Sequence, residues 1–202
     1  MGHLDYKYQN RVSLTILIWY VLAILAGGSG FTSRMAPPLP QIVLFGLVVL
    51  LSLLYLLFHN FRMWILSVNI KLLVVVHLTR FIGFYFLYLY SQNLLPYDFA
   101  VLGGWGDIIV ASCALLVILL APLAGKSGWL IYFVWNLIGL IDILFVIATA
   151  ARLAAMDPRS MSELLELPLS LLPTFLVPII IFTHIMIFIR LRVSRKTGYE
   201  RI

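Results

Sequence analysis

The stretch SVNIKLLVVVHLTRFIGFYFLYLY, Ser67 to Tyr90, decides the fold class. A helix needs about 20 mostly apolar residues to cross a hydrocarbon core of about 30 Å at a rise of about 1.5 Å per residue. This run exceeds that length with only Lys71, His77 and Arg80 ionisable. Working outward, five more segments qualify: Val12 to Gly28, Gln41 to Phe58 after the breaker Pro37-Pro38-Leu39-Pro40, Phe99 to Leu123, Trp129 to Leu153, and Leu167 to Ile189. The chain as a whole agrees. Of its 202 residues 63% are apolar and 11% charged, against about 45–50% and about 25% for a soluble domain. A single cysteine, Cys113, excludes a disulfide scaffold. Neither an internal repeat nor a low-complexity tract is present. The expectation is an all-α integral membrane protein: a bundle of six transmembrane helices forming one domain over residues 1–202.

Orientation follows from the cations. With six spans, the N-terminus, the second and fourth connections and the C-terminus share one side. That side holds Lys7, Arg11, Arg62, Lys126, Arg190, Arg192, Arg195, Lys196 and Arg201, with Lys71 at its boundary. The opposite loops hold Arg34, Arg152 and Arg159 beside Asp98, Asp157, Glu163 and Glu166. The positive-inside rule places both termini in the cytoplasm. The net charge of +6 is then an orientation and headgroup signal and calls for no nucleic-acid partner. Lys7 and Arg11 ahead of an apolar run ending Ala26-Gly27-Gly28 also have the form of a signal peptide, but no clear small-x-small site follows, so the first span is expected to be retained. The start Met-Gly-His-Leu-Asp-Tyr lacks a myristoylation signal.

The loops read as helix punctuation. Asp98 after Pro96-Tyr97 is expected to cap the fourth span, and Ser127-Gly128 to precede the fifth. Asp157-Pro158 with Ser160 to Glu163 has capping-box spacing and predicts a short helix on the outer surface, structural rather than functional. Trp64, Tyr88, Tyr90, Trp105 and Trp129 fall near span ends, as an aromatic belt requires.

Ionisable residues within spans cost roughly 2.5–3.5 kcal/mol each at mid-membrane and mark function or paired structure. His77 and Arg80 lie in the third span, Asp107 in the fourth, Asn136 and Asp142 in the fifth, Thr174 and His184 in the sixth; the first two spans carry no ionisable residue in their cores. Measured from each span's midpoint, Arg80 is central. Asp107 and Asp142 lie about 3–6 Å toward the outside, and His77, Asn136 and His184 about 4–9 Å toward the cytoplasm. One guanidinium then faces two carboxylates, and a bidentate pair with one would leave the other free to take a proton. His77 and Arg80, three apart, share a face and link the layers. Lys71 is expected to snorkel to headgroups, Asn136 and Thr174 to act as interhelical hydrogen-bond glue or ligand contacts, and Cys113 to be a small packing residue.

Gly103-Gly104-Trp105-Gly106-Asp107 opens the fourth span, where glycines permit close helix approach or a local break; Gly103, Asp107 and Ala111 recur every four residues as a packing seam. It is no dinucleotide fingerprint, since no strand precedes it. Pro173 and Pro178 remove helix hydrogen bonds and should kink the sixth span.

The stretches His77-Leu78-Thr79-Arg80-Phe81-Ile82-Gly83, Leu94 to Ala100, Gly103 to Ile108, Trp135 to Asp142 and Leu172 to Pro178 resemble a pattern in uncharacterised bacterial inner-membrane proteins of this size. The resemblance covers Phe61 to Arg192. It implies a bacterial, multi-pass plasma-membrane protein and nothing about mechanism.

Four uses of the polar set compete. In the first, Arg80, Asp107, Asp142, Asn136 and Thr174 line a pocket that binds or moves a small polar or amphipathic ligand, a lipid included, with an aspartate exchanging protons and a histidine relaying them. Such a small transporter would be expected to form a homodimer. In the second, His77 and His184 are axial ligands of haem b. In the third, the two histidines and an aspartate hold Zn²⁺ for hydrolysis, although their depths differ and no paired His spacing exists. In the fourth, the chain is a non-catalytic accessory or assembly subunit of a larger membrane complex, and the polar residues are structural. The first is preferred, with no catalytic residue and no metal expected.

Overall fold

A computed structural model describes residues 2–198, and every regular element among them is helical. Six helices are long and apolar enough to cross a bilayer. In chain order the elements are α1 (Gly2–Gly28), α2 (Leu39–Leu57), the short α3 (His59–Ser67), α4 (Ile70–Ser91), α5 (Asp98–Leu120), α6 (Gly125–Met156) and α7 (Leu172–Lys196). The six apolar runs of the sequence thus each become one long helix. Their outer faces remain apolar: Leu57, Leu119 and Leu120 are exposed while Arg80 and Asp107 are buried. That inversion suits a hydrocarbon surrounding and would be costly in water.

Helix ends depart from expectation for local reasons. The third span starts at Ile70 rather than Ser67, because Val68-Asn69 separates α3 from α4 and Asn69 restarts the helix, its side chain accepting from the Lys71 N–H at 2.9 Å. Asn69→Ala is expected to cost about 1 kcal/mol of unfolding free energy in a denaturant titration, with Asn69→Asp neutral. Asp98 does not cap α5; its carboxylate takes a hydrogen bond from Arg152 at 2.6 Å instead, in a half-exposed pair. Such pairs contribute little. α6 starts at Gly125, whose φ of +83° suits glycine, so Ser127 already lies in the first turn. Asp157 does accept from the Arg159 N–H at 3.0 Å, but Pro158–Leu165 forms two 3₁₀ turns interrupted at Met161 rather than one helix. Lys71 does not reach for headgroups: its ammonium donates to the Ile118 carbonyl at 2.6 Å, satisfying one of the orphan carbonyls at the end of α5.

The chain divides into two compact units, residues 1–67 with 162–178 and residues 68–161 with 179–202. In the first, α1 meets the start of α7 through aromatic packing. Trp19 sets its ring edge against Phe175 at 4.9 Å and donates its indole N–H to the Thr174 carbonyl at 2.9 Å, while Tyr20 lies 5.2 Å from Phe175. The segment between Pro173 and Pro178 is a π-helical turn, Leu172–Leu176. This winding places backbone differently where proline cannot donate.

The second unit comprises α4, α5, α6 and the remainder of α7, and its packing is set by a change of winding within α4. Val76–Ile82 is a 3₁₀ helix between two α-helical pieces. A 3₁₀ helix stacks residues three apart on one face, and the buried positions run in threes: Val74, His77, Arg80, Gly83, Phe86 and Leu89. At Gly83 this face lies so close to α5 that a Cβ would run into the Gly104 carbonyl, and a Cβ on Gly104 would be 3.0 Å from the Gly83 carbonyl. Two backbones touch there, which only glycine allows. The remaining glycines of the motif serve other neighbours: Gly103 faces Val146 on α6, and Gly106 faces Asp142. They allow close approach, and the winding changes between Gly103 and Gly104, where the π-helical turn Asp98–Gly103 gives way to continuous α-helix over Gly104–Leu120.

Candidate functional site

Arg80 is carried into the second unit on the 3₁₀ segment of α4 and is 1% exposed. Each of its three side-chain nitrogens has a partner. Nε donates to Asp107 Oδ1 at 2.6 Å, Nη1 to the Gly139 carbonyl at 2.9 Å, and Nη2 to Asp142 Oδ2. The guanidinium therefore forks between the two carboxylates; the expected bidentate grip on one of them does not form. Gly139 exposes its carbonyl to Arg80 because it has no side chain: a Cβ there would stand 2.8 Å from the His184 ring and 3.1 Å from Val110.

The two aspartates differ in setting. Asp107 is almost wholly enclosed, whereas the side chain of Asp142 is 17% exposed. Asp142 rests against the bare Cα of Gly106, where a methyl group would collide with its carboxylate. Gly106→Ala is therefore expected to push Asp142 off Arg80 and cost about 1–3 kcal/mol. A double-mutant cycle checks the cause: adding Asp142→Asn to Gly106→Ala should cost less than about 0.5 kcal/mol more.

A second layer adjoins the first. His77, one 3₁₀ turn from Arg80, has its ring centroid 4.2 Å from that of His184, with Trp135 edge-on to His77 at 4.9 Å. Both imidazoles are fully buried. Asn136 clamps His184: Nδ2 donates to the His184 carbonyl at 3.1 Å and Oδ1 lies 2.8 Å from Nδ1. An amide oxygen only accepts, so Nδ1 carries the proton and Nε2 is a bare lone pair. Thr183 gives its hydroxyl proton to the Ile180 carbonyl at 2.9 Å, so its oxygen accepts from His77 Nε2 at 3.1 Å and His77 Nδ1 is bare too. His77 Nδ1 has no hydrogen-bond partner, and His184 Nε2 faces the Gly139 backbone without a hydrogen bond of good geometry.

The residues gathered around Arg80 are His77, Asp107, Asn136, Asp142 and His184, all of the second unit. Thr174 belongs to the first unit, where its hydroxyl donates to the Ser170 carbonyl at 2.6 Å. Thr183, Trp135 and the Gly139 carbonyl complete the cluster and were not read from sequence. A threonine next to His184 and a glycine one helical turn from Asn136 were the available signals, both too common in membrane helices to stand out. Tyr132, one turn on the other side of Asn136, is also buried, with a hydroxyl lacking a partner.

The geometry does not fit a haem between the histidines. Axial imidazoles stand on opposite faces of a porphyrin, whereas these two rings touch each other. Nor do three His, Cys, Asp or Glu side chains converge as a metal centre among the described residues. Cys113 is not a core packing residue but is exposed on α5.

The chain belongs to a family whose model, described as a domain of unknown function (DUF8737), matches residues 37–192. No curated protein and no solved structure matches it.

Proposed function

We propose that the chain is a multi-pass membrane protein of the bacterial plasma membrane, both termini cytoplasmic, in which a polar pocket of spans three to six binds or moves a small polar or amphipathic ligand with exchange of a proton. One observation carries this reading: a single buried guanidinium is shared between two carboxylates. With both acids ionised the cluster holds one uncompensated negative charge in apolar surroundings, a state relieved by one added positive charge, of which a proton is the smallest. Asp142 is the most accessible acid of the cluster. Arg80, with every nitrogen committed, is a holder of the acids; a ligand would enter by displacing one of them.

Proton binding is testable without knowing the ligand. In proteoliposomes, infrared difference spectra between acidic and alkaline buffer should show a protonated-carboxyl band that Asp142→Asn removes, and an entrapped pH dye should report proton uptake lost in Asp142→Asn and Asp107→Asn. Identical spectra and identical dye responses in wild type and both variants would leave only the reading of a structural ion pair in an accessory subunit.

A further inference from the structure

Val76–Ile82 keeps a 3₁₀ winding for seven residues, whereas such runs rarely pass about three or four, because their hydrogen bonds are poorly aligned. Nothing in the segment itself dictates this. It contains neither proline nor glycine, and the helix on either side of it is α. The ties that fit it come from three other helices of the second unit. Arg80 donates to Asp107 on α5 and to Asp142 and the Gly139 carbonyl on α6, while His77 meets Thr183 on α7 at 3.1 Å. In an α-helix, positions three apart are turned by about 60° from one another. The 3₁₀ winding removes that offset and lets both side chains reach their partners along one line.

The two flanking pieces of α4 are held unequally. Gly83–Ser91 is fixed by the backbone contact of Gly83 with Gly104 and by Phe86 against Phe99 at 5.0 Å. Ile70–Val75 carries one polar side chain, Lys71, tied by a single hydrogen bond to the Ile118 carbonyl. Its other side chains are all apolar. Lipid tails are as apolar as leucine, so exchanging one such side chain for another at a lipid-facing surface costs little. Beyond this piece the chain is not helical at Val68-Asn69, where Arg190 of α7 donates to the Val68 carbonyl. A turn of Ile70–Val75 therefore need not carry α3 with it.

We propose that Val76–Ile82 is a winding switch, 3₁₀ while two ionised acids hold Arg80 and α-helical once an acid is neutralised. A proton on Asp107 or Asp142 forms an O–H bond there and takes an acceptor from Arg80. With Gly83 as the fixed end, rewinding turns Arg80 by about 60° and His77 by about 120°, so that His77 leaves Thr183 and His184. Ile70–Val75 turns by about 140° and is drawn about 3.5 Å toward Gly83. The titratable and charged groups facing the segment are Asp107 from α5, Asp142 from α6 and His184 from α7; on the turning piece only Lys71 is charged. The switch regulates the site of the proposed function and rests on that reading only for the proton that neutralises the acid.

The test is pulsed electron paramagnetic resonance on the whole chain in detergent, with Cys113→Ser and nitroxides on Leu72→Cys and Ser91→Cys, both exposed positions of α4. The axial rise between them is about 32 Å with the 3₁₀ segment and about 3.5 Å less if α4 is α-helical throughout. Around the axis they stand about 120° apart in the first case and about 100° in the second, so the change is almost wholly axial. Asp107→Asn with Asp142→Asn should shorten the distance by about 3–4 Å. So should the triple variant that adds Arg80→Met and leaves no buried charge in the cluster. Distances unchanged in both variants, with native circular dichroism, overturn the switch. The labelled parent, titrated from alkaline to acidic pH, should shorten by the same amount. Shortening in the variants with no response to pH in the parent would overturn proton exchange and leave the switch standing.

Discussion

Replacing Arg80 by methionine is expected to destabilise the second unit by about 3–5 kcal/mol, the amount lost when one partner of a buried ion pair is removed and the other charge stays behind. Here two charges stay behind: Asp107 and Asp142 would face each other without a cation, and the Gly139 carbonyl would lose its donor. The measurement is unfolding in mixed micelles by titration with a denaturing detergent, followed by helical circular dichroism. A lysine at position 80 should rescue only in part, because an ammonium cannot fork between two carboxylates and a carbonyl in one plane. The decisive comparison is the triple variant Arg80→Met, Asp107→Asn, Asp142→Asn. Removing the acids along with the cation abolishes the unpaired charge, so the triple variant should be more stable than Arg80→Met alone. A single variant that loses less than about 1 kcal/mol, or a triple variant that is worse than the single, would show that the acids are not held by Arg80.

Gly83→Val should rank next. A Cβ at position 83 runs into the backbone carbonyl of Gly104, and no flexible side chain is there to yield, so α4 must move off α5. Overpacking of this kind costs typically about 1–3 kcal/mol and sometimes more, and the movement also separates Arg80 from Asp107, which α4 and α5 carry respectively. Gly103→Ala should be milder, since the atom it meets is a valine methyl at 3.2 Å. Gly46→Ala on α2 meets nothing within 4 Å and should be neutral or stabilising by up to about 1 kcal/mol through helix propensity. Thermal unfolding of the three in one detergent checks the order; a Gly83→Val protein as stable as Gly46→Ala would mean that the two backbones are not in contact.

Much of the polar cluster could be read along the chain because each member is an ionisable or amide residue in an apolar run, and such residues have few places to go. Grouping Arg80 with Asp107 and Asp142, and His77 with Asn136 and His184, needed only depth, which follows from counting residues. Thr174 falls in the other unit, where its hydroxyl donates to the Ser170 carbonyl; depth says nothing about which way around a helix a side chain points. Cys113 and Lys71 differ from expectation for related reasons: one is exposed on α5, and the other donates to an orphan carbonyl at the end of α5.

Taken alone, the order of residues determined that six helices would be long and apolar enough to span a bilayer and which side groups must be sheltered together. Those are local or one-dimensional quantities, governed by hydrocarbon thickness and the cost of burying charge. Azimuth was decided only in three dimensions. Over the seven residues Val76–Ile82, winding at 3.0 rather than 3.6 residues per turn swings side chains by about 140° relative to an α-helix. That rotation keeps His77, Arg80 and Gly83 on one buried line, and the line ends where two glycine backbones on different helices meet, a contact that neither helix carries by itself.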